Sequence, residues 1–201
     1  REALYADLTP ALAGTPNDMI IDGEGRAFVG DMGFDLTGPR KRRCGRVVCV
    51  SPEGDARAVA EELDYPNGIA VSADGRTLVV AETDGGCVSV FSVARDGSLH
   101  DRARIGDFGA GAPDGICLDA SGAIWVSLFQ DGQFVRMNRD GRVLERVAAR
   151  RPRAVACVLG GPERSALYCV SAETSLTDLM AGRSTAGVDI VDAPYPGAGV
   201  P

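Results

Sequence analysis

The feature that most constrains the fold of this chain is an internal repeat. Each copy contains a proline, then Asn or Asp, an apolar strand pattern, a turn ending in Gly and a second apolar strand pattern. Asn17, Asn67 and Asp114, which follow the prolines, lie 50 and 47 residues apart. A period of this length indicates a repeat architecture. Three stretches superpose without gaps: "TPNDMIIDGEGRAFVGDMG" (15–33), "YPNGIAVSADGRTLVVAET" (65–83) and "APDGICLDASGAIWVSLFQ" (112–130).

Each copy continues into a second hairpin, so a unit contains four short strands. The continuations are "GRVVCVSPEGDARAVAEEL", "GCVSVFSVARDGSLHDRARIG" and "GQFVRMNRDGRVLERVAAR". Four antiparallel strands in a repeated unit of about 40–50 residues are typical of a β-propeller blade. We therefore predict an all-β protein, a β-propeller with about four blades present in the chain. The predicted blades occupy residues 15–64, 65–111, 112–151 and 152–201.

The two ends of the chain bear on whether the ring closes. The last unit keeps the apolar rhythm but has Ala154 in place of Asn or Asp, and residues 1–14 are interpreted as the tail of a preceding blade. Four blades are the lower bound for a closed ring, and an open ring exposes sheet edges that can pair with another chain. We expect either further blades before Arg1 or an incomplete ring that self-associates through its open edges. Near the end, Ser175 or Thr174 could cap a helical turn.

Charge and composition exclude several classes of partner. The net charge is −7, and the one basic run, residues 40–46, is interpreted as a loop between strands. Nucleic acid is not an expected partner, because phosphate binding needs a basic face. No apolar stretch approaches the ~20 residues that cross a bilayer, so no membrane partner is expected. The six cysteines form no C-x-x-C pair and mostly lie in apolar strand patterns. Buried free thiols in a cytoplasmic protein explain them best.

Asn17, Asn67 and Asp114 are the candidate site residues, because each precedes an inner strand and inner strands begin at the same end of a propeller channel. Taken singly, Pro-Asn-Gly and Pro-Asp-Gly are common turns in which Asn or Asp bonds its own backbone. Three equivalent positions favour a shared role. Amide and carboxylate oxygens suit Ca²⁺, Mg²⁺ or Mn²⁺ and, less well, Zn²⁺. We predict one divalent cation, with Ca²⁺ preferred. Two amides and one carboxylate neutralise a dication poorly, so a further carboxylate is expected from another blade.

These motifs together make the sequence similar to the senescence marker protein (regucalcin)/gluconolactonase family of six-bladed propellers. The resemblance covers nearly the entire chain in the expected order. It implies a lactonase with one divalent cation in the channel, and it implies that earlier blades with a Glu ligand precede Arg1. The motifs that carry it are "TPND", "DGEGRAFVGDMGFD", "YPNGIAVSADGRTLVVAET", "PDGICLDASGAIWVS" and "ACVLGGPERSALY".

The resemblance also implies a role for each candidate residue. Asn67 and Asp114 match the metal ligands of the family, and Asn17 matches the asparagine that contacts substrate or a water on the metal. Asp18 is expected to brace the turn beside Asn17. One departure concerns the substrate: Thr15 stands where many members have an arginine that holds acidic sugars.

The function that follows is metal-dependent hydrolysis of a sugar lactone or a related small lactone, with Asp114 as general base. Ser-His catalysis is not expected, because the only histidine, His100, falls in a predicted outer hairpin. The alternative is a non-catalytic propeller that acts as a binding or scaffold module, or an inactive fragment of a lactonase.

Overall fold

The computed structural model describes residues 3–35 and 44–198, and this part of the chain is almost entirely β-structure. Fifteen strands in these ranges form four antiparallel sheets, in which strands adjacent in sequence are neighbours in space. The inner strand of each sheet packs beside the inner strand of the next, as in successive blades of a propeller. The predicted all-β propeller with four blades is confirmed.

The first three sheets each contain four strands. In the first sheet these are β1 (Pro16–Ile21), β2 (Ala27–Asp31), β3 (Gly45–Val50) and β4 (Ala56–Leu63). In the second they are β5 (Pro66–Val71), β6 (Thr77–Glu82), β7 (Cys87–Val93) and β8 (Leu99–Ile105). In the third they are β9 (Pro113–Leu118), β10 (Ile124–Leu128), β11 (Gln133–Met137) and β12 (Val143–Ala148).

The fourth sheet departs from the expected four strands, since it contains three. They are β13 (Arg153–Gly160), β14 (Ala166–Glu173) and β15 (Thr185–Asp192). After β15 the chain crosses to the far end of β9, where the Ala198 N–H donates to the Leu118 carbonyl at 3.0 Å. A short helix, α1 (Leu176–Met180), precedes β15, and the Ser175 side chain caps it as predicted. The outer strand β15 exposes Val188 and Ile190; self-association through such edges stays a prediction.

Apolar side chains from facing sheets form one cluster between each pair of neighbouring blades. Phe28 of the first sheet meets Leu78 of the second, and Val79 of the second meets Ile124 of the third. Trp125 of the third sheet is 1% exposed and packs with Leu167 of the fourth. The burial of these faces is the main favourable term that holds the blades side by side.

The N-terminal segment covers the outer face of the first sheet. Leu8 and Leu12 pack against the cluster that contains Val29 and Val48. No strand forms over residues 3–10, although the sequence pattern there favours one. The segment contacts the first sheet through apolar side chains such as Leu8 and Leu12 and does not extend the sheet.

The cysteines, His100, the basic run and the absence of a membrane span are the other features on which the sequence made a prediction. All six cysteines lie in the described part of the chain and are free thiols, with Cys44 exposed. His100 is exposed on β8. Residues 40–43 of the basic run lie outside the described residues. No helix in the described ranges is long and apolar enough to cross a membrane.

Glu82, the last residue of β6, is a fully buried charge that ties the second sheet together. Its carboxylate accepts hydrogen bonds from the Asp64 N–H at 2.7 Å, from the Ser89 hydroxyl and from Arg102 Nη2 at 2.7 Å. Burial by itself would raise the pKa of Glu82, but these donors and the charge of Arg102 hold the pKa below its ordinary value of 4.5. The carboxylate form is therefore the form that the fold stabilises.

We predict that Glu82→Gln lowers the free energy of unfolding by about 2 kcal/mol near neutral pH, because charge-assisted hydrogen bonds are lost. A carboxyl group with a depressed pKa contributes stability above its unfolded pKa and loses it as the pH falls. The difference from wild type should therefore be largest above pH 4.5 and shrink below it. Urea unfolding at neutral and acidic pH measures this. The exposed Glu61→Gln is the control, and an equal loss for Glu82→Gln at both pH values would contradict the prediction.

The inner strands approach one another too closely for a side chain at Gly68. A methyl group on Gly68 would lie 2.3 Å from the Asp114 carbonyl oxygen. We predict that Gly68→Ala lowers the free energy of unfolding by roughly 1–3 kcal/mol, the usual cost of overpacking. Gly23→Ala is the matched control, since nothing lies within 4 Å of that methyl position. Equal stability of the two variants in urea unfolding would contradict the prediction, because it would mean that β5 and β9 can move apart enough to accept the methyl group.

Candidate functional site

The Pro-Asn-Gly and Pro-Asp-Gly motifs begin strands, which corrects the expectation that they form turns. Pro66 and Pro113 are the first residues of β5 and β9, and each is paired with a residue of the following strand. The register shifts directly after each proline, as in a β-bulge. Neither Gly68 nor Gly115 has a positive φ. The glycines are required because the adjacent blade comes within contact distance, and the bulge re-aims the side chain before them.

Asn67 and Asp114 are brought together across the boundary between the second and third blades. The Asn67 side chain lies close enough to the Asp114 carboxylate to lower the pKa of that group. The Asn67 amide nitrogen donates to the Thr83 hydroxyl at 3.0 Å, and that hydroxyl donates to the Pro113 carbonyl at 2.7 Å. Asn67, Thr83 and Pro113 thus form one hydrogen-bonded group beside Asp114. Asn67 and Asp114 are each half-buried.

Asp18 occupies the position on β1 that Gly68 occupies on β5. Its carboxylate accepts hydrogen bonds from its neighbour's N–H, that of Met19, at 2.8 Å and from the Ile69 N–H at 3.2 Å. The second bond crosses from the first blade to the second. Asp18 therefore braces two blades as well as its own strand, and its negative charge acts on Asp114.

The carboxyl group of Asp114 titrates near neutral pH in this environment. Burial raises the pKa of Asp114 to about 7, the hydrogen bond from Asn67 opposes the rise, and the charge of Asp18 adds to it. A folded-state pKa above the ordinary 3.8 means that folding disfavours the carboxylate. Without a bound cation, this group therefore costs the protein stability as the pH rises from about 4 through about 7.

Asn17 and Ala154 show that the four blades contribute unequally. Asn17 lies at the equivalent position on β1 and is exposed, with no side-chain hydrogen bond to the described residues. Ala154 of β13 is 0% exposed and belongs to the apolar cluster between the third and fourth blades. The polar positions that face one another directly are those of the second and third blades.

The donor atoms at this site fit a hard divalent cation in kind. Asn67 contributes an amide oxygen and Asp114 a carboxylate, which are oxygen ligands of the type that Ca²⁺ and Mg²⁺ take. Within residues 3–35 and 44–198, no group of three or more His, Cys, Asp and Glu side chains is arranged to hold a metal ion. The described residues therefore supply two candidate ligands with one negative charge between them.

A cavity of about 220 Å³ extends from Asp18 along the inner strands. Its wall is mostly apolar and includes Ile69 and Ile116, and Arg164 also contributes to its lining. Asn67 and Asp114 do not line it. The cavity therefore continues the channel away from the polar group, and Asp18 is the residue that the two share.

Thr83 is the residue of this group that sequence reasoning missed. It follows the last residue of β6, and the backbone hydrogen bond from its N–H makes it equivalent to Met32 of the first blade and Phe129 of the third. A single hydroxyl in an exposed-looking "AET" segment gives no signal alone. The sequence does carry one signal, since only the second of the three copies has a hydroxyl residue at this position. That difference gains a meaning only when the contact to Asn67 is known.

Two curated relatives of this chain are named as lactonases. The chain is 28% identical over 159 residues to the pentonolactonase XacC of Haloferax volcanii, and 30% identical over 160 residues to the 6-deoxy-6-sulfogluconolactonase of Pseudomonas putida. The alignments cover 78% and 77% of this chain and 53% of each relative. The chain thus spans about half the length of these curated relatives.

A solved gluconolactonase from Xanthomonas campestris has the same architecture. It superposes with a TM-score of 0.66 and 28% sequence identity, over 79% of this chain and 54% of that protein. Residues 3–173 match the family described as the SMP-30/Gluconolactonase/LRE-like region. The repeat, the propeller fold and these matches agree, and the chain belongs to the SMP-30/gluconolactonase family.

Proposed function

We propose that this chain forms part of an enzyme that hydrolyses a sugar lactone or a related small lactone. The observation that carries the proposal is the carboxyl group of Asp114, which is half-buried, lies beside Asn67 and has a pKa of about 7. The names of the relatives support the reaction class, since they act on pentonolactones, gluconolactones and a sulfogluconolactone. Because the chain spans about half of the curated relatives, the activity is proposed for the protein to which it contributes.

Asp114 is the proposed general base. In its carboxylate form it takes a proton from a water molecule as the water oxygen adds to the lactone carbonyl carbon. The bond from that carbon to the ring oxygen then breaks, the ring oxygen receives the proton that Asp114 took from the water, and the product is the open hydroxy acid with Asp114 ionised again. A pKa near 7 suits this task, because a base is most effective when its pKa lies close to the working pH.

The two asparagines are proposed to position the reactants. The Asn67 N–H favours the carboxylate form of Asp114, since a hydrogen bond to the charged form lowers the pKa. Asn17 is exposed at the same end of β1, where its amide is free to hydrogen-bond a hydroxyl or carbonyl group of a sugar. Free thiols and the net charge of −7 support a cytoplasmic enzyme with a small-molecule substrate rather than a nucleic acid or a membrane as partner.

Asn67 and Asp114 are also the proposed ligands of one divalent cation, for which Ca²⁺ is the first candidate and Zn²⁺, Mg²⁺ and Mn²⁺ are alternatives. A cation held there would act as a Lewis acid on the lactone carbonyl or on water. Its positive charge would also favour the ionised form of Asp114, which burial disfavours. A bound cation would therefore favour the ionised form of Asp114, and the ionised form would in turn favour binding of the cation.

We predict that Asp114→Asn lowers the rate of lactone hydrolysis at least about 100-fold, because positioned bases contribute factors of this size. Acid release from glucono-1,5-lactone in CaCl₂, corrected for spontaneous hydrolysis, measures the rate. The exposed Asp101→Asn on β8 is the control and should retain wild-type activity. If Asp114→Asn keeps its activity within tenfold, Asp114 is not the base. If the wild-type protein has no activity while folded, the non-catalytic alternative is favoured.

We predict that Ca²⁺ binding weakens as the pH falls below about 7, because the cation and a proton compete for the Asp114 carboxylate. One displaced proton gives about a tenfold loss of affinity for each pH unit below the pKa. Calorimetric titration of the metal-free protein with CaCl₂ between pH 5.5 and 8 measures this, with Asp101→Asn as the control. Binding that is unchanged across this range would remove Asp114 from the ligand set.

A further inference from the structure

The Thr83 hydroxyl makes two hydrogen bonds, one within the second blade and one to the third. It donates its single proton to the Pro113 carbonyl at 2.7 Å and accepts a hydrogen bond from Asn67 Nδ2 at 3.0 Å. Pro113 directly precedes Asp114 at the start of β9. One hydroxyl therefore links the side chain of one candidate ligand to the backbone that carries the other.

This pattern determines which end of the Asn67 amide faces Thr83. A carbonyl oxygen can only accept, so the contact to Pro113 requires the Thr83 proton. The side of the hydroxyl that faces Asn67 is then an acceptor, and only the NH₂ group of the amide can meet it. With its NH₂ group held toward Thr83, the amide has Oδ1 at its other end, and Asn67 Oδ1 is the atom available to a ligand.

The backbone at this position does not need a hydroxyl, as the sister blades show. The Thr83 N–H donates to the Tyr65 carbonyl at 3.0 Å. The equivalent bonds in the first and third blades run from the Met32 N–H to Thr15 and from the Phe129 N–H to Ala112, each also at 3.0 Å. Methionine and phenylalanine thus support the same backbone turn. The hydroxyl of Thr83 is an addition specific to the blade that carries Asn67.

We propose that Thr83 is a positioning residue that orients the Asn67 amide so that its oxygen is presented to a hard cation. The inference rests on the proposed function for the identity of that cation, but the orientation itself is a property of the protein alone. If the hydroxyl is removed, the Asn67 amide loses the partner that distinguishes its two ends, and the Pro113 carbonyl loses its donor. The amide can then rotate and present N–H where the oxygen was.

The test uses Thr83→Val, which keeps the shape and removes the hydroxyl, and Thr83→Ser, which keeps the hydroxyl. Thr77→Val, at the other end of β6, controls for the loss of a threonine hydroxyl elsewhere on the same strand. In metal-free protein, ¹H–¹⁵N spectra report the Asn67 side-chain amide, which is assigned by its absence in Asn67→Ala. We expect Thr83→Val to shift this amide pair, and Thr83→Ser and Thr77→Val to leave it in place. An unshifted pair in Thr83→Val overturns the proposal.

A titration of the same variants with CaCl₂ provides the second measurement. We expect Thr83→Val to weaken Ca²⁺ binding about tenfold or more, the usual effect of losing a residue that orients a metal ligand, and Thr83→Ser to bind within a fewfold of wild type. Equal affinity in all variants overturns the link to the cation. If wild-type protein binds no Ca²⁺ while Thr83→Val still shifts the Asn67 amide, the orientation is supported and the metal part of the proposed function is wrong.

Discussion

The contact between the inner strands of neighbouring blades is the constraint on which the rest of the structure depends. At Gly68 the backbone of β5 lies so close to the Asp114 carbonyl that a methyl group would meet it at 2.3 Å. A methyl group on Gly115 would likewise lie 2.7 Å from the Cα atom of Ala156. Apolar clusters between the sheets supply the driving force, and these glycines determine how close the strands can come. That spacing brings the Asn67 side chain close enough to Asp114 to lower its pKa.

The same closeness creates the electrostatic character of the site. Asp114 is taken out of water by the strands beside it, and Asp18 adds a negative charge from the first blade, so the pKa of Asp114 rises to about 7. Glu82 shows the opposite outcome for a buried carboxylate. Its donors outweigh the effect of burial, and its pKa falls. The difference lies in the number of hydrogen-bond donors around each carboxyl group.

Equivalent positions in the repeat carry different types of side chain in the three four-stranded blades. Asp31 and Glu82, opposite the first prolines of β1 and β5, are buried charges that accept backbone N–H groups, whereas Leu128 at the third position is apolar. Thr83 carries a hydroxyl where Met32 and Phe129 have none. A repeated backbone tolerates such changes because its hydrogen bonds are made by main-chain groups, which do not depend on the side chain.

The sequence by itself determined the repeat, the all-β propeller class and the positions of Asn67 and Asp114, because strand periodicity and repeat spacing are local properties of the chain. Only the tertiary structure decided that the Pro-Asn-Gly motif begins a strand, that the fourth sheet has three strands, and that Thr83 lies beside Asn67. The contact of Thr83 with Asn67 depends on the pairing of β5 with β6, and the strand start at Pro66 depends on the closeness of the third blade. The local pattern of Pro, Asn and Gly is the same in a turn and at a bulged strand end, and the neighbouring blade selects between them.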